Sequence, residues 1–147
     1  MAKQYRVGTV RKLINKLATS QVKKGRGHPA TYLLTTTGRT SGLSRTTPVT
    51  LVIDGTERWL VAPYGAVGWV HNLRASGIGT LERGVITEEI TVSELPPALS
   101  APVLATYHAK LKRVVGAYMD VPRSGATEEQ FLAIADRHPV FLIDSHR

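Results

Sequence analysis

The chain has 147 residues, 42% of them hydrophobic, enough for one compact domain with a core of its own. It has no cysteine, so disulfides, thiolate metal sites and a cysteine nucleophile are excluded. Its net charge of +8 is concentrated at one end: ten bases (Lys3, Arg6, Arg11, Lys12, Lys16, Lys23, Lys24, Arg26, Arg39, Arg45) precede the first carboxylate, Asp54. That asymmetry predicts an anionic partner on the N-terminal side, such as a phosphate ligand, lipid headgroups or nucleic acid. The basic start is not followed by an apolar run of signal-peptide type, and no stretch approaches a membrane span. A protein of the reducing cytoplasm is therefore expected.

Residues 9 to about 24 read as an amphipathic helix. Val10, Leu13, Ile14, Leu17 and Ala18 recur at helical spacing, with Arg11, Lys12, Lys16 and Lys23 elsewhere on the wheel. Two readings stand side by side: a helix packed on the core with a solvated basic face, or one lying on an anionic membrane or over a cofactor's phosphate tail. The run Gly25-Arg26-Gly27-His28-Pro29 ends it, and the chain divides into this helix, 1–27, and a barrel domain, 28–147, within one structural unit. Residues 32–36 and 46–53 suit strands. Asp54-Gly55 is a hairpin signal, and residues 58–62 form the return strand. A break at Pro63-Tyr64-Gly65-Ala66 precedes a short helix over 67–75. Residues 78–83 and 85–92 form a second hairpin around Gly84. A long helix from about 98 to 118 carries Val103, Leu104, Tyr107, Leu111, Val114 and Val115 on one side. Thr127 and Gln130 form a capping box that opens a last helix through His138, and residues 140–143 close the chain as a strand. Hairpin pairs interrupted by helices predict a mainly β, α+β fold, an antiparallel barrel with helical insertions, in place of a doubly wound parallel sheet.

Two segments could carry chemistry. In residues 35–48, two glycines four apart, Gly38 and Gly42, let the backbone turn tightly and expose N–H groups. Hydroxyls at Thr40, Ser41 and Ser44 and the guanidiniums of Arg39 and Arg45 add donors suited to a phosphate or carboxylate. On composition alone, a polar hairpin loop with two surface arginines is the simpler reading. In residues 63–74 the break puts free helix N–H groups near the barrel mouth, and Trp69, Asn72 and Leu73 share one face at i, i+3, i+4 spacing. Core packing is the competing account of Trp69 and Leu73. No metal site is expected, because the five histidines lack H-x-x-x-H or H-E-x-x-H spacing, and no G-x-S-x-G elbow supports a hydrolase. Specific nucleic-acid binding is not expected either: aromatic content is 6% and no reader motif is present. Redox chemistry would therefore belong to a bound organic cofactor.

The run Leu33-Leu34-Thr35-Thr36-Thr37-Gly38-Arg39-x-Ser41-Gly42-x-x-Arg45-x-x-Pro48, followed by Trp69-x-x-Asn72-Leu73-x-Ala75, resembles the deazaflavin (F420)-dependent nitroreductase family of the FMN-binding-like split barrels. The resemblance extends from about residue 28 to the C-terminus. It implies coenzyme F420, with FMN ranked behind it, in a groove across the barrel, and hydride transfer to an electron-poor small molecule (enone, quinone or nitro compound). It implies that Arg39, Thr40, Ser41, Gly42 and Arg45 hold the phosphate end. Ala62, Pro63, Tyr64, Gly68, Trp69, Asn72 and Leu73 would then border the ring. Tyr118 is the resemblance's best candidate for a catalytic proton donor, with Tyr107 behind it. A lysine usually follows the family's Gly-Arg pair where Thr40 stands, and Pro63-Tyr64 replaces a common Ser-Lys. The chain is also similar to a neighbouring subgroup that binds fatty acids at membrane surfaces. That similarity implies the alternative, a lipid-binding protein in peripheral contact with an anionic membrane. A homodimer is expected by analogy with other split barrels.

Overall fold

The structure, a computed structural model, describes residues 9–145, and within that span the side chains of residues 9–12, 14 and 145 are outside the described set. Val10, Arg11, Lys12 and Ile14 of the predicted helical pattern therefore fall outside the described residues, as do Lys3 and Arg6. Six strands, β1 (Thr31–Thr37), β2 (Ser44–Asp54), β3 (Glu57–Val61), β4 (Ile78–Arg83), β5 (Ile86–Glu94) and β6 (Val140–Ser145), close into a barrel in the order β1-β2-β3-β6-β5-β4. Every pairing is antiparallel. Four helices accompany them: α1 (Thr9–Lys23), α2 (Gly68–Ser76), α3 (Pro97–Val115) and α4 (Glu128–Ile134).

The elements form where local chemistry directs. Gly55 and Gly84 take φ of 60° and 57°, the left-handed conformation that tight hairpins need and that side chains with a Cβ resist. The capping box opens α4 as predicted: Thr127 Oγ1 accepts from Gln130 N at 3.2 Å, and Gln130 Oε1 accepts from Thr127 N at 2.8 Å. The last two helices end earlier than the sequence suggests. α3 kinks at Leu111 (φ −124°, ψ 16°) and passes into a 3-10 turn over 116–118, while α4 gives way to another over 135–137.

Strand alternation divides the apolar residues into two cores. Leu34, Leu51, Leu60, Leu81, Ile90 and Phe141 fill the barrel interior, and Val70 and Leu73 of α2 plug its mouth. Val52, Val61 and Val140, of opposite parity, face outward and are covered by α3 and α4 through Leu104, Tyr107, Phe131 and Ile134. The first helix departs from the core-packed expectation. Its Val22 is buried, but Leu13 and Leu17 are 59% and 61% exposed. The outward positions of β1 and β2 alternate, with Thr31 paired to Thr50 at 2.9 Å and Thr35 to Thr46 at 2.8 Å on either side of the buried Leu33 and its partner Pro48.

Candidate functional site

Between α1, the outer face of β2, the kinked end of α3 and the start of α2 runs a groove of about 1080 Å³. That exceeds the usual span of small-molecule sites, about 300–1,000 Å³. Of the sequence-predicted residues, Arg39, Thr40, Ser41, Arg45, Pro63, Tyr64, Gly68, Trp69 and Asn72 line it. The two predicted segments, some thirty residues apart in sequence, are thus brought together along one channel.

The polar end is the connection between β1 and β2. Gly38 N donates to Leu43 O at 2.8 Å and Gly42 N to Gly38 O at 2.9 Å, closing a tight turn in which Gly42 takes φ of 70°. A Cβ at Gly38 would lie 2.6 Å from Ser41 Oγ and 3.1 Å from Leu43 O, so a side chain there would push the serine hydroxyl aside and crowd the turn. Ser41 Oγ is turned back into the loop, accepting from Leu43 N at 3.2 Å. The N–H groups of Thr40 and Ser41 donate to no partner among the described residues. With the exposed guanidiniums of Arg39 and Arg45 beside them, they form a cationic nest of the kind that binds phosphate.

The other end is flat and apolar. Trp69 stands half-buried against Phe141 of the barrel core, ring centroids 6.1 Å apart and planes tilted by 53°. A core residue so backs the indole and holds its free face toward the groove. The first N–H groups of α2, from Gly68 and Trp69, have no partner among the described residues and are disposed to meet a ring carbonyl or an anion. Across from them, Leu111, Val114 and Val115 of α3 supply an aliphatic wall, and Tyr107 a phenol that is 4% exposed. Burial raises the Tyr107 pKa well above the usual phenol value, and the adjacent Tyr64 adds to the shift, so Tyr107 keeps its proton throughout the physiological range.

Four predicted residues are not among those lining the groove. Ala62 and Leu73 are fully buried in the barrel core, because the mouth of the barrel takes them as packing. Gly42 shapes the loop from behind. Tyr118 meets Tyr64 edge-on at 4.9 Å, supporting a tyrosine that does line the groove. Sequence reasoning missed Asn15, His28 and the β2 position Thr50, and it singled out the stretch holding Thr46 and Pro48 without giving those two a place in the site. The alternation of hydroxyls along β2 was the available signal, and it is shared by many ordinary strands.

A deazaflavin with a phosphate-bearing tail fits this donor set: nest and guanidiniums for the phosphate, a backed indole and free amides for the ring. The family described as F420H(2)-dependent quinone reductase matches residues 8–131, so the match takes in α1, which the sequence motifs did not, and stops short of β6. No curated protein matches the chain in sequence. Among solved structures, the haem storage protein HutZ from Vibrio cholerae is 9% identical over 90% of this chain and 89% of its own, with a TM-score of 0.56. A putative pyridoxamine 5'-phosphate oxidase from Listeria innocua is 9% identical over 91% and 94%, with a TM-score of 0.55. A protein described as a domain-swapped dimer is 20% identical over 92% and 96%, with a TM-score of 0.52. These three share the split-barrel fold.

Proposed function

This chain belongs to the F420H(2)-dependent quinone reductase family, an F420-using oxidoreductase family, and on that premise we propose that it reduces a quinone in the groove described above. The bound cofactor supplies the hydride; the protein supplies position, electrostatics and exclusion of water. Arg39, Arg45 and the Thr40 and Ser41 amides anchor the phosphate, and Trp69 with the α2 amides holds the ring. With the cofactor bound, the acceptor would lie against Leu111, Val114 and Val115, an apolar wall suited to a flat, uncharged substrate. Tyr107 donates a hydrogen bond to an acceptor oxygen; with its pKa raised it orients better than it ionises. Enones and nitro compounds share the electron-poor character of quinones and are the next substrates to assay. The observation that carries this reading is the continuity of one groove from the cationic nest to the indole.

The test is fluorescence titration of oxidised F420 with FMN run in parallel, followed by oxidation of reduced F420 with a quinone, an enone and a nitroarene. F420 binding at micromolar concentration with quinone-dependent turnover is expected. Tight FMN binding without F420 binding overturns the assignment.

A second reading, lipid binding at an anionic membrane surface, draws on the exposure of Leu13 and Leu17 on a helix that also carries Lys16 and Lys23. No helix among the described residues is long and apolar enough to cross a membrane, so any such contact is peripheral. Co-sedimentation with anionic liposomes, lost on Leu13→Glu/Leu17→Glu, is its test. A homodimer completes the proposal, in line with the domain-swapped relative, and is checked by light scattering.

A further inference from the structure

Asn72 shares the helix that carries Trp69, yet its side chain is committed elsewhere. It is 3% exposed, flanked in sequence by the core residue Leu73. Its Oδ1 accepts from the backbone N of Arg39 at 3.2 Å and from the Arg39 guanidinium (Nη1) at 3.1 Å. Its Nδ2 donates to Thr36 Oγ1 at 3.1 Å, and that hydroxyl is itself buried. The amide cannot be turned over, because two donors of Arg39 face one atom, and only the oxygen can accept both. One oxygen therefore fixes where the loop leaves β1 and where its guanidinium points. An arginine on an exposed loop otherwise spreads over many rotamers, and holding one of its nitrogens leaves the remaining donors aimed together.

We propose that Asn72 is a positioning residue: it couples α2, the ring-side helix, to the phosphate-side loop and presets Arg39 for the anion without touching the anion itself. The inference rests on the phosphate-binding reading of the groove. It has a consequence that a ring contact would not have. Loss of the Asn72 amide removes affinity only for a ligand that carries the phosphate, and the larger part of that loss depends on the Arg39 guanidinium being present to be positioned.

The experiment uses the full chain and two probes, F420 and the deazaflavin fragment that lacks the phosphate and its tail, each titrated by fluorescence. Asn72→Ala is expected to weaken F420 on the order of tenfold, the scale of one charge-assisted hydrogen bond, and to leave the tail-less fragment within about twofold. Thr36→Val keeps the volume of a residue outside the groove and frees Nδ2; it moves F420 in the same direction by less, and it carries the test if Asn72→Ala does not fold. In an Arg39→Ala background, Asn72→Ala costs clearly less F420 affinity than it does in the parent, because only the bond to the backbone N of residue 39 is left to lose, the sub-additive pattern of residues acting as a unit. Equal weakening of both probes, or additive losses in the double variant, overturns the proposal while the phosphate reading stands. Unchanged F420 affinity in Arg39→Ala alone overturns the phosphate reading and this proposal with it.

Discussion

Arg39→Ala combined with Arg45→Ala addresses the phosphate end directly. A hydrogen bond from a charged donor contributes about 1.5–3 kcal/mol where it is sheltered. Both arginines are exposed, so solvent screening reduces each contribution to roughly 1–1.5 kcal/mol. Removing both then costs about 2–3 kcal/mol, or roughly 30- to 150-fold in the dissociation constant for F420, at about 1.4 kcal/mol per tenfold. Because the contribution is ionic, affinity of the unaltered protein falls as salt rises, and the double variant shows a shallower slope. Arg113→Ala, at an exposed position that does not line the groove, lowers net charge without touching the loop and serves as the control. Fluorescence titration at two ionic strengths reads all four quantities. A loss under about threefold in a folded double variant, or an equal loss in Arg113→Ala, refutes the anchoring role of this pair.

Other perturbations test the frame that holds the groove. Arg58 and Glu88 meet in a two-pronged pair on side chains only 14% and 13% exposed, so Arg58→Met removes both of these charge-assisted bonds and costs about 1–3 kcal/mol, read as a lowered urea midpoint. Burial lowers the pKa of both His108 and His138, so the unfolded chain takes up protons first, at about pH 6.5, and stability falls as pH drops below that value, each loss levelling off below the folded-state pKa. His108 Nε2 is buried with no hydrogen-bond partner among the described residues, so His108→Leu is expected to raise the thermal midpoint more at pH 5 than at pH 8; a pH-independent shift contradicts the linkage. Thr127→Ala removes half of the capping box on α4 and costs about 1 kcal/mol by chemical denaturation.

Much of the barrel can be read locally because its strands are joined by short connections with their own chemistry. Asp54-Gly55 and Gly84 mark two hairpins, and the breaks at Pro63 and Pro96 place helices where the strands stop. Closure is of a different kind. β6 inserts between β3 and β5, pairing Leu60 with Phe141 and Ser93 with Leu142, and no spacing in the chain announces a pairing over such a separation. The leucines of α1 are the converse case. Their periodicity promises an apolar neighbour, and at Leu13 and Leu17 the fold supplies no cover.

The candidate site divides along the same physical line. Gly38, Arg39, Ser41 and Arg45 are legible because a tight turn needs glycine and an anion needs fixed donors, both requirements satisfied within eight residues. Face-sharing on α2 is where sequence spacing misleads. Positions i, i+3 and i+4 place Trp69, Asn72 and Leu73 on one side of an isolated helix. A helix that plugs a barrel mouth, however, is enclosed from two directions, by the barrel interior and by the loop crossing over it. Leu73 turns into the barrel, Asn72 turns toward the loop, and Trp69, a turn earlier, is left to face the groove. Three residues that spacing assigns to one ligand surface thus take three separate tasks. The one buried polar residue among them is the one whose hydrogen bonds decide which task it has, because an amide in a closed mouth must satisfy its donors and its acceptor in full.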